Sequence, residues 1–143
     1  MKKQRILFTI ATILMTLFIF YNSMQSAELS SEASGILVGF VSKLLSLFGW
    51  RPDLDTITYL VRKAAHFSEF TLHGLFLSGC FSMTFRRRII YVLFFGLLTA
   101  CIDEYIQLFS SGRAAMIQDV FIDFSGTIVG LWFFRITRKF RGR

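Results

Sequence analysis

Proline occurs once in the 143 residues, cysteine twice and histidine twice, and charged residues make up only 17% of the chain. A single proline, Pro52, leaves no proline-rich linker. The two cysteines, Cys80 and Cys101, both fall inside apolar runs, where neither a disulfide framework nor metal-ligand spacing is readable. Scarce charge also excludes a disordered tail, which needs low hydrophobicity and many charges. What fills the chain instead is apolar: 54% hydrophobic residues, with 18 Phe. The length suggests one domain, and a soluble domain of that size cannot hide so many large apolar side chains from water. The net charge of +7 sits in short clusters between apolar runs, with no basic amphipathic face, so no nucleic-acid partner is expected.

Four apolar stretches are long enough to approach a bilayer crossing: 6–21, 64–85, 89–109 and 120–134. None alternates as a barrel strand does, and an open sheet would strand its backbone polar groups in lipid, so the spans are read as helices. The expected fold is all-α: a polytopic membrane four-helix bundle with an amphipathic interfacial helix on its extracytoplasmic side. Residues 1–22 are the N-terminal span and 23–62 an extracytoplasmic segment carrying the amphipathic helix 34–50. Residues 53–135 are the transmembrane core, and 136–143 a basic tail.

The first run has the basic start of a secretory signal in Lys2, Lys3 and Arg5. Cutting after Ser26 or Ala27 would put Met24 or Gln25 where a small residue is needed, so a retained anchor is expected. Stretch 34–50 is apolar enough to compete as a fifth span. Its residues divide into a greasy face (Ile36, Leu37, Phe40, Val41, Leu44, Leu45, Phe48) and a stripe of small or polar ones (Gly35, Gly39, Ser42, Lys43, Ser46, Gly49), as an interfacial helix requires. Pro52 and Asp53 then start a helix that leads through Leu54, Ile57 and Leu60 into the second span.

Basic residues set the orientation. Lys2, Lys3 and Arg5, then Arg86, Arg87 and Arg88, then Arg135, Arg138, Lys139, Arg141 and Arg143 share one side of a four-span path. The expectation is a bacterial cytoplasmic membrane protein with both termini cytoplasmic. The acids Glu28, Glu32, Asp53, Asp55, Glu69, Asp103, Glu104, Asp119 and Asp123 map to the other side or to the outer halves of spans. Small residues four apart, Gly74 and Ser78, Gly96 and Ala100, Gly126 and Gly130, predict close helix contacts.

An ionisable group within a span costs at least ~2.5 kcal/mol, which makes it a functional candidate by default. His66, Glu69 and His73 share a face of the second span by spacing. Asp103, Glu104 and Gln107 lie near the outer end of the third, Asp119 and Asp123 near that of the fourth. Counted at ~1.5 Å per residue, Glu69, Asp103, Glu104 and Asp123 share a layer. A polar chamber in the outer half of the bundle follows, with more acids than the bases Arg62, Lys63 and Arg113. Protonated carboxyls, protonated histidines, a metal ion or a cationic head group would each balance it. The His66, Glu69 and His73 spacing matches no named zinc motif, so no metal site or cofactor is expected. Asp103 and Glu104 have a plain structural alternative in pairing with Arg113 across two helices. No phosphate loop, nucleophile elbow or zinc-protease helix is present.

The segment Arg62-Lys63-Ala64-Ala65-His66-Phe67-Ser68-Glu69-Phe70, then Asp103-Glu104 with Gln107, then Gly112-Arg113 followed by Asp119 and Gly126, resembles the VanZ-like family of bacterial membrane proteins over residues 53–130. The resemblance implies that His66, Glu69, Asp103, Glu104, Gln107, Arg113 and Asp119 are recurring polar positions. It departs at Phe70, where the family commonly has Tyr, at Ser111, where it has Pro, and at Asp123, where it has Asn. It implies a place in the Gram-positive cell envelope and a link to resistance to teicoplanin, a glycopeptide with a lipid tail.

Three functions compete. In the first, Lys63, His66, Glu69, Asp103, Glu104, Gln107, Arg113, Asp119 and Asp123 bind the head group of an outer-leaflet membrane lipid, a lipid-linked cell-wall precursor or a lipoglycopeptide. In the second, an intramembrane hydrolase or transferase uses His66 or Glu69 as base with Asp103 or Glu104 as its orienting partner or as a metal ligand. In the third, a transporter, the inner halves of the spans offer no polar path.

Overall fold

A computed structural model describes residues 2–81 and 87–141, with the backbone alone described at positions 33, 87, 140 and 141. Five α-helices are found among the described residues: α1 Lys2–Met24, α2 Ala27–Leu47, α3 Leu54–Cys80, α4 Arg87–Gln107 and α5 Ile117–Arg141. The all-helical class expected from the sequence is observed. Arg86 and Arg143, used above as orientation signals, and positions 82–85 of the expected second span lie outside the described residues.

Local chemistry sets the helix ends. Helix α1 contains neither Pro nor Gly and runs unbroken for 23 residues. Ser26 caps α2, its hydroxyl accepting from the Leu29 N–H at 3.3 Å. That cap starts the helix at Ala27, two turns before the expected 34. Its C-terminus closes at Phe48 and Gly49, where Gly49 takes φ +78° and Trp50 N–H returns to the Leu45 carbonyl at 3.1 Å. Asp53 caps α3 by accepting from the Thr56 N–H at 3.2 Å, as the Pro52-Asp53 pair foretells. Helix α3 therefore begins ten residues before the apolar stretch that starts at 64, and it ends at Cys80. Helix α5 continues to Arg141, so 136–141 is its last turns and no separate tail.

Helix α3 is the hub, packed against α1, α2, α4 and α5. It lies antiparallel to α1: Arg5 Nε donates to the Cys80 carbonyl at 3.0 Å at one end, and Asn22 Nδ2 donates to Glu69 at 2.8 Å towards the other. Its closest neighbour is α5, and the small residues explain why. A Cβ at Gly74 would strike the Thr127 backbone, one at Gly126 the Phe67 carbonyl, and one at Gly130 the Thr71 carbonyl. Gly96 of α4 likewise accommodates the Thr127 side chain. The small-residue spacing thus does what was expected of it, bringing two helix backbones together.

Apolar side chains cover the outside. Ile6, Leu7, Ile10, Leu14, Leu17 and Phe18 of α1 are exposed while Thr12 and Ser23 are buried, the reverse of a soluble protein. Helix α2 buries only Val38 in a small cluster with Ile57 and Val61 of α3, and leaves Ile36 91% exposed with Phe40, Leu47 and Phe48. Helices α1, α4 and α5 contain stretches long and apolar enough to cross a membrane: Lys2–Met24, Arg88–Gln107 and Ile117–Lys139. Helix α3, at 27 residues, is long enough at ~40 Å. Its polar side chains, several turned onto the other helices, keep it out of that apolar class.

Candidate functional site

Every buried acid is at one end of the molecule. The first half of α3, the C-terminus of α4, the N-terminus of α5 and the loop 108–116 meet there around a cavity of about 180 Å³, with the C-terminus of α1 packed behind. Lys63, His66, Glu104, Gln107, Arg113, Asp119 and Asp123 stand on its wall, with Tyr59, Arg62, Gly112, Ala114, Met116 and Ile122. Seven of the expected site residues therefore face one space. Glu69 and Asp103 lie behind that wall. Glu69 accepts from Asn22, and Asp103 is fully buried between α1 and α4.

The acids are held by a network that fixes their positions. Gln107 Nε2 donates to Asp103 Oδ2 at 2.9 Å and to Glu104 Oε1 at 3.0 Å. Glu104 Oε2 accepts from the Met116 N–H at 2.8 Å, tying the loop to α4. Ser23 donates its hydroxyl to Asp103 Oδ1, and Ser110 donates to the Ser23 carbonyl at 2.6 Å. The loop also binds the α1–α2 junction, where Ala27 N–H donates to the Ser111 carbonyl at 3.0 Å. Gly112 turns the chain at φ +71° so that Arg113 comes back over the cavity.

The bases divide unequally. Lys63 forms an ion pair with Asp119. Arg113 forms none with Asp103 or Glu104 among the described residues, so the structural pairing weighed from sequence is not made. Its Nη2 donates to the Asn22 carbonyl at 3.2 Å, while Nε and Nη1 are buried without a partner. Burial draws the Arg113 guanidinium below its usual range, a range high enough that the side chain stays charged. A charged fork with two free donors on a pocket wall suits an anionic oxygen.

His66 and His73 do not act together. His73 is buried against α1, its Nε2 within 3.1 Å of the Thr16 hydroxyl and its ring edge-on to Phe70. His66 instead approaches Asp103 Oδ2 at 3.8 Å and, from α5, Asp123. Sequence reasoning missed Asn22 and Ser23. They sit where an apolar run ends, which reads as a boundary; only the packing of α1 on α3 and α4 shows that they partner acids 47 and 80 positions away.

Long apolar helices with polar groups turned inward define the class, a helical membrane protein. The profile of the VanZ/LLP1 family matches residues 8–138, nearly the whole chain, and the protein belongs to that family. Neither the curated proteins nor the solved structures gave a match.

Proposed function

We propose that this protein binds the anionic head group of an outer-leaflet lipid or lipid-linked cell-wall intermediate in the cavity between α3, α4 and α5, and that it thereby lowers susceptibility to lipoglycopeptides of the teicoplanin type. The reading takes α1, α3, α4 and α5 as four spans, with α2 in the outer interface and both termini cytoplasmic. The positions of Arg5 and Arg88, at the end of the bundle opposite the cavity, favour this orientation, since Arg5 binds the Cys80 carbonyl and Arg88 the Phe81 carbonyl.

The observation that carries the proposal is the Arg113 side chain on the cavity wall, with two buried N–H donors and no partner. Size points the same way. About 180 Å³ is smaller than the ~300–1,000 Å³ typical of pockets for drug-sized ligands, so a head group fits where a whole glycopeptide does not.

The test is lipid retention by the full chain purified in mild detergent and exchanged between phosphatidylglycerol and phosphatidylcholine. Retention of the anionic lipid by the native protein, reduced by roughly ten- to a hundredfold in Arg113→Gln, is expected from losing a charge-assisted hydrogen bond of ~1.5–3 kcal/mol. Teicoplanin susceptibility of cells at matched expression should rise in the same variant. Equal retention of both lipids, unchanged by the substitution, contradicts the proposal.

An intramembrane hydrolase or transferase is the second reading, supported by the approach of His66 Nδ1 to Asp103 Oδ2. It predicts a lipid species whose abundance depends on His66.

A further inference from the structure

Three helices each bring one ligand atom to the same point. A nitrogen of His66 on α3, a carboxylate oxygen of Asp103 on α4 and one of Asp123 on α5 all lie within 4.8 Å of one another. Asp103 is 0% and Asp123 2% exposed. Asp123 Oδ2 has no hydrogen-bond partner there, and neither has His66 Nδ1. Buried polar atoms almost always have partners, and two buried carboxylates facing each other repel unless a proton or a cation lies between them. The nearby bases do not fill that role among the described residues: Lys63 pairs with Asp119, and Arg113 forms no ion pair with Asp103 or Asp123.

The spacing suits a shared cation. His66 Nδ1 and Asp103 Oδ2 are 3.8 Å apart, too far for a hydrogen bond. Two ligands each ~2.1 Å from a shared cation stand about that far apart when they subtend roughly 130° at it. Asp103 is also oriented as a ligand is, with Ser23 donating to Oδ1 and Gln107 to Oδ2, leaving a second lone pair on Oδ2.

We infer that His66, Asp103 and Asp123 bind one divalent transition-metal cation of the Zn²⁺ or Mn²⁺ kind, with its open coordination positions towards the cavity. One imidazole nitrogen and two carboxylates suit these metals better than Mg²⁺ or Ca²⁺, which prefer oxygen alone. Two carboxylates neutralise the cation, which explains how the acids of α4 and α5 tolerate burial together. Three protein ligands leave room for an exogenous oxygen, as in metal sites that accept a ligand. His66 and Asp123 are on the same wall as Arg113, so the cation and the guanidinium would grip one phosphate-type oxygen group between them. That last step rests on the proposed head-group function; the metal site itself does not.

The test uses the full chain carrying C80S and C101S, so that no thiol competes for metal. The protein is stripped with EDTA in detergent, passed through gel filtration, and titrated separately with Zn²⁺ and Mn²⁺, bound metal being measured by mass spectrometry. One equivalent per folded chain is expected, with affinity falling by about 100-fold or more in D123N and in H66Q, and unchanged in D55N, at an exposed acid away from the cavity. Cobalt loading should give a visible absorption band that shifts when inorganic phosphate is added. Less than a tenth of an equivalent in folded protein, or full binding retained in both D123N and H66Q, overturns the site. Should either ligand variant not fold, D103N is read in its place, and the stripped native chain decides by stoichiometry alone. R113Q separates the two claims: it is expected to hold its metal while losing anionic lipid. Metal without lipid retention would sink the head-group function and keep the site; lipid retention without metal would do the reverse.

Discussion

At the scale of single residues, the candidate site was legible wherever burial cost singles a residue out. His66, Asp103, Glu104, Asp119 and Asp123 are conspicuous in apolar runs because hydrocarbon penalises them. Their partners were not legible, since hydrogen bonds between helices leave no trace in local spacing. Asn22 and Ser23 look like the polar end of a span until α1 is laid against α3 and α4. Two predictions belong here. Ser23→Ala removes a hydroxyl from a fully buried carboxylate, and should destabilise the protein by about 1–3 kcal/mol, read as a lower unfolding temperature in detergent; an unchanged midpoint would mean that Asp103 finds another donor. Lys63→Met should cost more than Lys63→Met combined with Asp119→Asn, because the single change leaves a buried acid unpaired. Thermal melts of both variants decide whether the ion pair behaves so.

Helices were the more legible level, though their boundaries were not. A hydropathy window finds apolar residues, whereas a helix ends where its backbone groups find caps: the Pro52-Asp53 pair marked the start of α3, but α2 starts at the Ser26 cap and α5 runs forward to Arg141. The small-residue pairs on α3 and α5 signalled contact correctly, yet the same kind of residue on α2 signals nothing of the sort: Gly35 and Gly39 have open space around them. The contrast is testable. Gly130→Leu must push α5 away from the Thr71 backbone and should abolish folded protein, while Gly35→Ala should be neutral or stabilising by up to ~1 kcal/mol through helix propensity. Similar yields and melting temperatures for the two would refute the close α3–α5 approach.

Helix α3 also carries a pH dependence outside the membrane-spanning part. Hydrogen bonds from Thr56 hold the Asp53 carboxyl below its ordinary value. Because the folded value is the lower one, the cap's contribution is complete above the ordinary carboxylate pKa and is lost as pH falls through the lowered value. Protection of the Thr56 and Ile57 amides, taken relative to the intrinsic exchange rate at each pH, should therefore fall in acid for the native chain and stay level in Asp53→Asn, which caps without titrating.

Across the whole molecule, charge is sorted by end. Acids and their network gather around the cavity, and Arg5 and Arg88 tie down helix ends on the far side. The gathering of the acids was readable from the spacing of charges along the chain, and the orientation proposed above would make the basic far end an instance of the positive-inside bias. What the linear sequence hides is that α3, the 27-residue helix that falls short of the apolarity of α1, α4 and α5, is the hub against which the other helices pack. Its position explains how a helix with His66, Glu69 and His73 fits among lipid-facing neighbours.

The account depends on the cavity being reached from outside the cell. Ala114 lines it and is exposed, so Ala114→Cys in a C80S/C101S background gives the most direct measurement: the rate of labelling by a membrane-impermeant maleimide in intact cells. Labelling without permeabilisation, slowed when excess phosphatidylglycerol is supplied, is the predicted result. Labelling only after the membrane is opened would place the cavity on the cytoplasmic side and contradict the account.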